Sequence, residues 1–133
     1  MKAQLEAIAQ TLVEEMKTTG TITLDGKPSI KGFTTNPSPC AGLCGPAFDK
    51  FAEIVKYNIP ESKIDKLQFS AIHPRQPQHV IAEVTTKEGV FKIDTTLEQY
   101  ISDVKSVYSE EEQYPLKIVP GSEIRTTIYD GLN

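Results

Sequence analysis

The stretch that decides the fold is GLCGPAFDKFAEIVKYNIP, residues 42–60. It begins with turn-forming residues, and apolar side chains then recur at helical spacing. The shared apolar face consists of Ala47, Phe48, Phe51, Ala52 and Val55. Proline is favoured in the first turn of a helix and cannot continue one, so Pro46 marks the start and Pro60 lies beyond the end. We therefore predict an amphipathic helix over residues 46–57, with Cys44 immediately before it.

The N-terminal segment carries a second apolar stripe at helical period. It consists of Leu5, Ile8, Ala9, Leu12, Val13 and Met16. This pattern predicts a helix over residues 3–18 that Gly20 ends. A short strand at residues 21–24, a turn at Asp25-Gly26 and a return strand at residues 28–30 follow.

Beyond residue 60 the pattern changes to strands. Alternation predicts strands at residues 66–72, 79–84 and 90–94, and the last two form an antiparallel hairpin around Lys87 to Gly89. Residues 97–107 are predicted as a short helix, residues 109–113 as an exposed acidic stretch and residues 123–129 as a closing strand. The sequence thus predicts one α+β domain over residues 1–133, with a helix packed on a small antiparallel sheet and a functional core at about residues 36–107.

Composition limits the function. The chain has 133 residues with 14 Lys and Arg against 18 Asp and Glu, a net charge of −4. This balance lacks the basic footprint that nucleic-acid binding requires. The longest apolar runs are only a few residues, so we expect no membrane span, and acidic residues interrupt the N-terminus where a secretory signal would be apolar. We expect a cytoplasmic protein with both cysteines as thiols, although secretion by a non-classical route stays open.

Three residues could together perform nucleophilic catalysis. Cys44 precedes a helix, where unpaired N–H groups and the helix dipole stabilise both a thiolate and the oxyanion of a tetrahedral intermediate. A cysteine nucleophile also needs a base, and the base needs a group that fixes its tautomer. His79 and Asp94 meet this demand at neighbouring strand ends. His79 lies nine residues before Glu88 and Asp94 six after it, so we expect a bulge or a longer loop to bring them to one face.

The segment from Gly42 to Thr96 resembles the papain-like superfamily of cysteine hydrolases, most closely its transglutaminase-like branch. The matching pieces are the Gly42-to-Phe48 stretch, the Asn58-Ile59-Pro60 helix exit, the His79 strand and the Asp94-Thr95-Thr96 setting. Family members carry Cys, His and Asp in this chain order. The resemblance implies that Cys44 is the nucleophile, His79 the base and Asp94 the orienting carboxylate.

The family pattern also shows what this chain lacks. It has no Trp, whereas transglutaminase-like members commonly carry Trp near the His and the Asp. No Gln precedes Cys44 where the papain group has its oxyanion donor, so Asn36 or Ser38 would substitute, or backbone N–H groups such as that of Gly45 would serve.

Several other interpretations stay open. Cys40 is the rival nucleophile, although a helix beginning there would place Pro46 in its interior. Cys40 and Cys44 with His73 and His79 have spacings that zinc ligands tolerate, and a Cys40–Cys44 disulfide is a further alternative. A non-catalytic interaction or immunity-type domain with a relic papain-like fold is the competing functional class.

The functional hypothesis is acyl transfer from an amide through a thioester at Cys44, without a metal or other cofactor. Peptidase and deamidase activities share this first half-reaction, as does transamidation. The superfamily that the chain resembles includes small bacterial toxin-type deamidases and peptidases. The resemblance therefore implies a protein or peptide substrate, and an inhibitory partner protein is compatible with it.

Overall fold

The computed structural model describes residues 1–29, 31–32, 34, 36–74 and 78–133. Over this part of the chain it contains two α-helices, a five-stranded antiparallel sheet and a two-stranded sheet, an α+β architecture. The predicted fold class is confirmed at this level. None of the helices in these ranges is both long and apolar enough to cross a membrane.

Two of the three predicted helices are present. Helix α1 spans Lys2–Thr19 and ends at Gly20, whose φ of 70° is the left-handed conformation that glycine adopts without strain. Helix α2 spans Cys44–Asn58, so it begins two residues earlier than predicted. A proline in the first turn loses no helical hydrogen bond, and Pro46 therefore does not have to be the first helical residue. Cys44 consequently lies in the first turn of the helix rather than before it.

The six predicted strands are present in order with shifted bounds, and the strand at residues 107–109 was not predicted. The strands are β1 (Thr23–Leu24), β2 (Lys27–Pro28), β3 (Lys63–Ser70), β4 (Gln78–Thr86), β5 (Gly89–Ile93), β6 (Val107–Ser109) and β7 (Ile124–Asp130). Strands β1 and β2 form the small sheet, with the predicted turn at Asp25 and Gly26. The large sheet has the order β6-β5-β4-β3-β7. Residue 30, placed in the predicted return strand, lies outside the described residues.

The helix predicted at residues 97–107 is wrong. A single 3₁₀ turn covers Leu97–Gln99, and the segment ends in β6. Asp103 has a φ of 54°, a left-handed conformation that a right-handed helix does not accommodate. The apolar residues of this segment instead pack on the large sheet, so tertiary burial overrides the helical spacing.

No bulge is needed to bring His79 and Asp94 to one face, contrary to the expected adjustment. Strands β4 and β5 pair without a register shift, from Thr86 opposite Gly89 to Ala82 opposite Ile93. The turn therefore has two residues, and its centre lies between Lys87 and Glu88 rather than at Glu88. Continued by one residue, this register places Asp94 opposite residue 81, and position 79 is on the same face as 81 because side chains alternate along a strand.

Each face of the large sheet has its own group of buried apolar side chains. On one face α1 and α2 pack against Ile64, Ala82, Val84, Phe91, Ile93 and Val107. On the other face the group consists of Leu67, Phe69, Ala71, Ile81, Leu97, Tyr108 and Leu116. The candidate site residues lie where α2 begins, β4 begins and β5 ends, so elements that bury both faces hold them in place.

Candidate active site

The loop before α2 is closed by a contact between two glycines. The N–H of Gly32 donates to the carbonyl of Gly42 at 2.9 Å. Gly42 has a φ of +76°, and a Cβ there would lie 2.6 Å from the carbonyl oxygen of Gly32. Only glycine fits this position, and it directs the chain into the buried Leu43 and then Cys44.

Cys44 lies in the first turn of α2 and is partly exposed. The preceding residue, Leu43, offers no side-chain hydrogen bond to the helix, and Pro46 has no N–H. The N–H groups of Cys44 and Gly45 are therefore the donors of the first turn without an intrahelical partner. A Cβ at Gly45 would meet no atom within 4 Å, so the space on that side of the Gly45 Cα is open.

His79 and Asp94 form a direct contact. The Nε2 atom of His79 lies 2.8 Å from Oδ2 of Asp94, and both side chains are almost fully buried, at 0 % and 1 % exposure. Phe69 and Tyr100 enclose the imidazole edge-on, with ring centroids 5.7 Å and 5.3 Å from it. A buried, hydrogen-bonded carboxylate fixes the orientation and tautomer of the ring.

The Asp94 carboxylate has further donors. The hydroxyl of Tyr114 donates to Oδ2 at 2.5 Å, and the backbone N–H and hydroxyl of Thr96 lie 3.2 Å and 3.4 Å from Oδ1. Burial raises the pKa of Tyr114, and the negative charge of Asp94 raises it further, so the hydroxyl remains a donor. The carboxylate is thereby satisfied although it is buried.

The other ring nitrogen of His79, Nδ1, does not contact Asp94. Nδ1 is buried and completes no hydrogen bond with any described residue. Burial lowers the pKa of His79, but Asp94 and the nearby Cys44 thiol raise it more, to about 10. The raised pKa keeps the His79 ring an imidazolium at neutral pH. Asp94 thus contacts His79 directly, and Cys44 lies close enough to the ring to affect its pKa.

Cys40, the rival nucleophile, lies in the core. It is only 1 % exposed and packs with the residues between the helices and the sheet. Burial and the charge of Glu98 raise the pKa of the Cys40 thiol, which disfavours a thiolate. Both cysteines are free, so the alternative Cys40–Cys44 disulfide is absent.

The expected oxyanion residues of the loop have structural hydrogen bonds. The side-chain amide of Asn36 donates to the carbonyl of Gln99 at 2.8 Å, and its oxygen accepts the N–H of Ser38 at 3.0 Å. The hydroxyl of Ser38 accepts the N–H of Cys40 at 3.3 Å. These contacts hold the loop against residue 99, and they engage the side chains of both Asn36 and Ser38.

Two tyrosines at the site were not predicted from the sequence. Tyr114 binds Asp94, and Tyr100 packs on His79 with a buried hydroxyl that has no hydrogen-bond partner among the described residues. Tyr100 also lines an open cavity of about 410 Å³ with Asn36, Ser38, His73 and Gln99. Both tyrosines come from irregular segments, where no periodic pattern marks their direction.

Among the described residues, no group of three or more His, Cys, Asp and Glu side chains is arranged to hold a metal ion. The zinc interpretation of Cys40, Cys44, His73 and His79 therefore finds no ligand set there. Comparison of the chain with protein-family models, with curated proteins and with solved structures gives no match.

Proposed function

We propose that the protein is a cysteine-dependent acyl-transfer enzyme that acts on amides, as a peptidase or a deamidase of papain-like or transglutaminase-like type. The observation that carries the proposal is the position of His79, whose Nε2 contacts Asp94 at 2.8 Å, whose Nδ1 is unpaired among the described residues, and whose pKa the nearby Cys44 raises. This chemistry requires a base that lies between a nucleophile and an orienting group.

The reaction follows from the charges. The Cys44 thiolate attacks the carbonyl carbon of an amide, and the C=O π electrons move to the oxygen, next to the N–H groups of Cys44 and Gly45. The tetrahedral intermediate collapses, the C–N bond breaks and the imidazolium of His79 gives its Nδ1 proton to the leaving nitrogen. Water, deprotonated by His79, then cleaves the thioester and releases the carboxylic acid and the thiol.

The leaving nitrogen distinguishes the two activities. A peptide bond releases an amine, and a glutamine side chain releases ammonia. A protein or peptide is the proposed substrate because the resemblance to papain-like hydrolases implies one, and the partial exposure of Cys44 is compatible with it. In the same proposal an inhibitory partner would act by covering Cys44.

Site-resolved alkylation tests the proposal. Iodoacetamide is applied between pH 5 and pH 10, and modification of each thiol is followed by mass spectrometry. Both cysteines fall between Lys31 and Lys50, so one tryptic peptide contains both, and fragment ions must separate them. We expect Cys44 to react near pH 6.5, where an ordinary thiol is only about 1 % ionised, and Cys40 to resist labelling.

Variants of the two histidines provide the matched comparison. His79→Gln should slow Cys44 labelling at pH 6.5 by roughly tenfold to a hundredfold, because the balancing imidazolium is lost. His73→Gln should leave the rate unchanged. Equal rates in wild type and His79→Gln would refute the triad. Ammonia release and new peptide termini, measured on glutamine-containing peptides, then separate deamidation from proteolysis.

A non-catalytic interaction domain is the second candidate, and strand β7 favours it. This strand forms one edge of the large sheet and is exposed along almost all of its length. Ile124 and Ile128 are 61 % and 47 % exposed, an unusual display of apolar side chains on an edge. If Cys44 labels like an ordinary thiol, partner binding at β7 becomes the function to test.

A further inference from the structure

Within the described ranges, the hydroxyl of Tyr100 is an unpaired polar group in the interior of the protein. The oxygen is buried and has no hydrogen-bond partner among the described residues. An unsatisfied buried hydroxyl is destabilising, and such groups in native proteins usually have a functional reason. The oxygen therefore marks a place where a ligand atom could complete the contact.

Tyr100 lies beside the proposed base, at the wall of an open cavity. Its ring lies against His79 at 5.3 Å and against His73 at 4.9 Å, at the wall of the 410 Å³ cavity. Burial raises the pKa of the Tyr100 hydroxyl, and the charges of Cys44 and Asp94 act in the same direction. The hydroxyl thus keeps its proton at neutral pH and is close enough to Cys44 to sense its charge.

Two other polar side chains that line this cavity already have hydrogen-bond partners. The amide of Asn36 donates to the carbonyl of Gln99, and the hydroxyl of Ser38 accepts from Cys40. The side-chain amide of Gln99 is also unpartnered within the described part of the chain, and Gln99 lines the same cavity as Tyr100. Tyr100 combines an unpaired donor with a ring contact to the proposed base.

We propose that the Tyr100 hydroxyl is a catalytic hydrogen-bond donor to the carbonyl oxygen of the acyl group that Cys44 attacks. This inference rests on the proposed function. As the sulfur–carbon bond forms and the carbonyl π electrons move to oxygen, Tyr100 donates a hydrogen bond to the developing oxyanion without transferring its proton. It adds a side-chain donor to the N–H groups of Cys44 and Gly45.

Two reagents separate this role from a structural one. p-Nitrophenyl acetate acylates Cys44 through a tetrahedral oxyanion, whereas iodoacetamide alkylates it by displacement at a saturated carbon, with no oxyanion. In Tyr100→Phe we expect the nitrophenolate burst to slow by roughly 10- to 100-fold, at or below the ~10² to 10³ that loss of one oxyanion donor costs. The alkylation rate should stay within about twofold of wild type, since the thiolate is untouched.

Matched variants complete the experiment. Cys44→Ala defines the burst that depends on the nucleophile, and Tyr57→Phe removes the hydroxyl of a tyrosine that is 88 % exposed. If wild type shows no Cys44-dependent burst, the proposed function fails and this role fails with it. If the burst is present and Tyr100→Phe leaves it unchanged, only the role of Tyr100 is overturned. A parallel loss of acylation and alkylation also overturns it, because that result indicates disturbed geometry.

Discussion

The hydroxyl of Tyr114 donates to the same oxygen of Asp94, Oδ2, that lies 2.8 Å from His79. Tyr114 lies 20 residues beyond Asp94, in a segment without regular structure, so the tertiary fold creates this contact. Its ring also packs edge-on against Phe69 and Tyr108. The carboxylate that orients the proposed base is thus held by an aromatic cluster on the sheet face opposite the helices.

Tyr114→Phe should destabilise the protein by about 1.5–3 kcal/mol, because a buried hydrogen bond to a charged group is lost while the ring packing is kept. Urea unfolding at pH 7 measures the change. Tyr57→Phe is the control, since Tyr57 is exposed and its hydroxyl makes little difference to folding. Equal midpoints for the two variants would contradict a stabilising Tyr114–Asp94 bond.

The stability of the protein should fall as the pH rises from about 6.5 to about 10. The pKa of His79 is raised from 6.5 to about 10, so the folded state retains a proton that the unfolded state releases in this interval. The stabilisation is complete below pH 6.5 and is lost as the pH passes through the folded-state pKa. Urea unfolding at one-unit pH steps should show a slope of at most about 1.4 kcal/mol per pH unit from this group. In His79→Gln the slope should flatten, and an unchanged slope would assign the effect to other groups.

Tyr100→Phe should not destabilise the protein. The hydroxyl has no partner among the described residues, so its removal breaks no hydrogen bond and relieves an unpaired buried polar atom, a gain of up to about 1 kcal/mol. Thermal and urea unfolding of the variant beside wild type measure this. A loss above about 1 kcal/mol would show that the hydroxyl has a structural partner.

Two glycines that flank the start of α2 should respond in opposite directions to alanine. Gly42→Ala combines a left-handed backbone with a contact of 2.6 Å to the Gly32 carbonyl, so we expect a loss of about 2 kcal/mol or more. Gly45→Ala meets open space within the helix and should be neutral or stabilising by up to about 1 kcal/mol. Urea unfolding of both variants checks this, and similar midpoints would contradict the close approach of the loop.

Local patterns predicted most of the secondary structure. The stripe from Leu5 to Met16 and the face from Ala47 to Val55 are buried as expected, because helical period alone determines which side chains share a face. The β4–β5 hairpin follows equally from alternation around a short turn. The helix predicted at residues 97–107 was wrong because the apolar spacing was compatible with a helix, whereas these residues cover a face of the large sheet.

The sequence by itself determined that Cys44 lies at the start of a helix, since this depends on neighbours a few residues away. Only the tertiary structure decided that Cys40 is buried and that the Asn36 side chain donates to the carbonyl of Gln99. It also brings Tyr100 against His79 and Tyr114 against Asp94. The contacts of Asn36, Tyr100 and Tyr114 join residues 20 to 63 positions apart through irregular segments. Their geometry depends on how both sheet faces are covered, and no local periodicity encodes it.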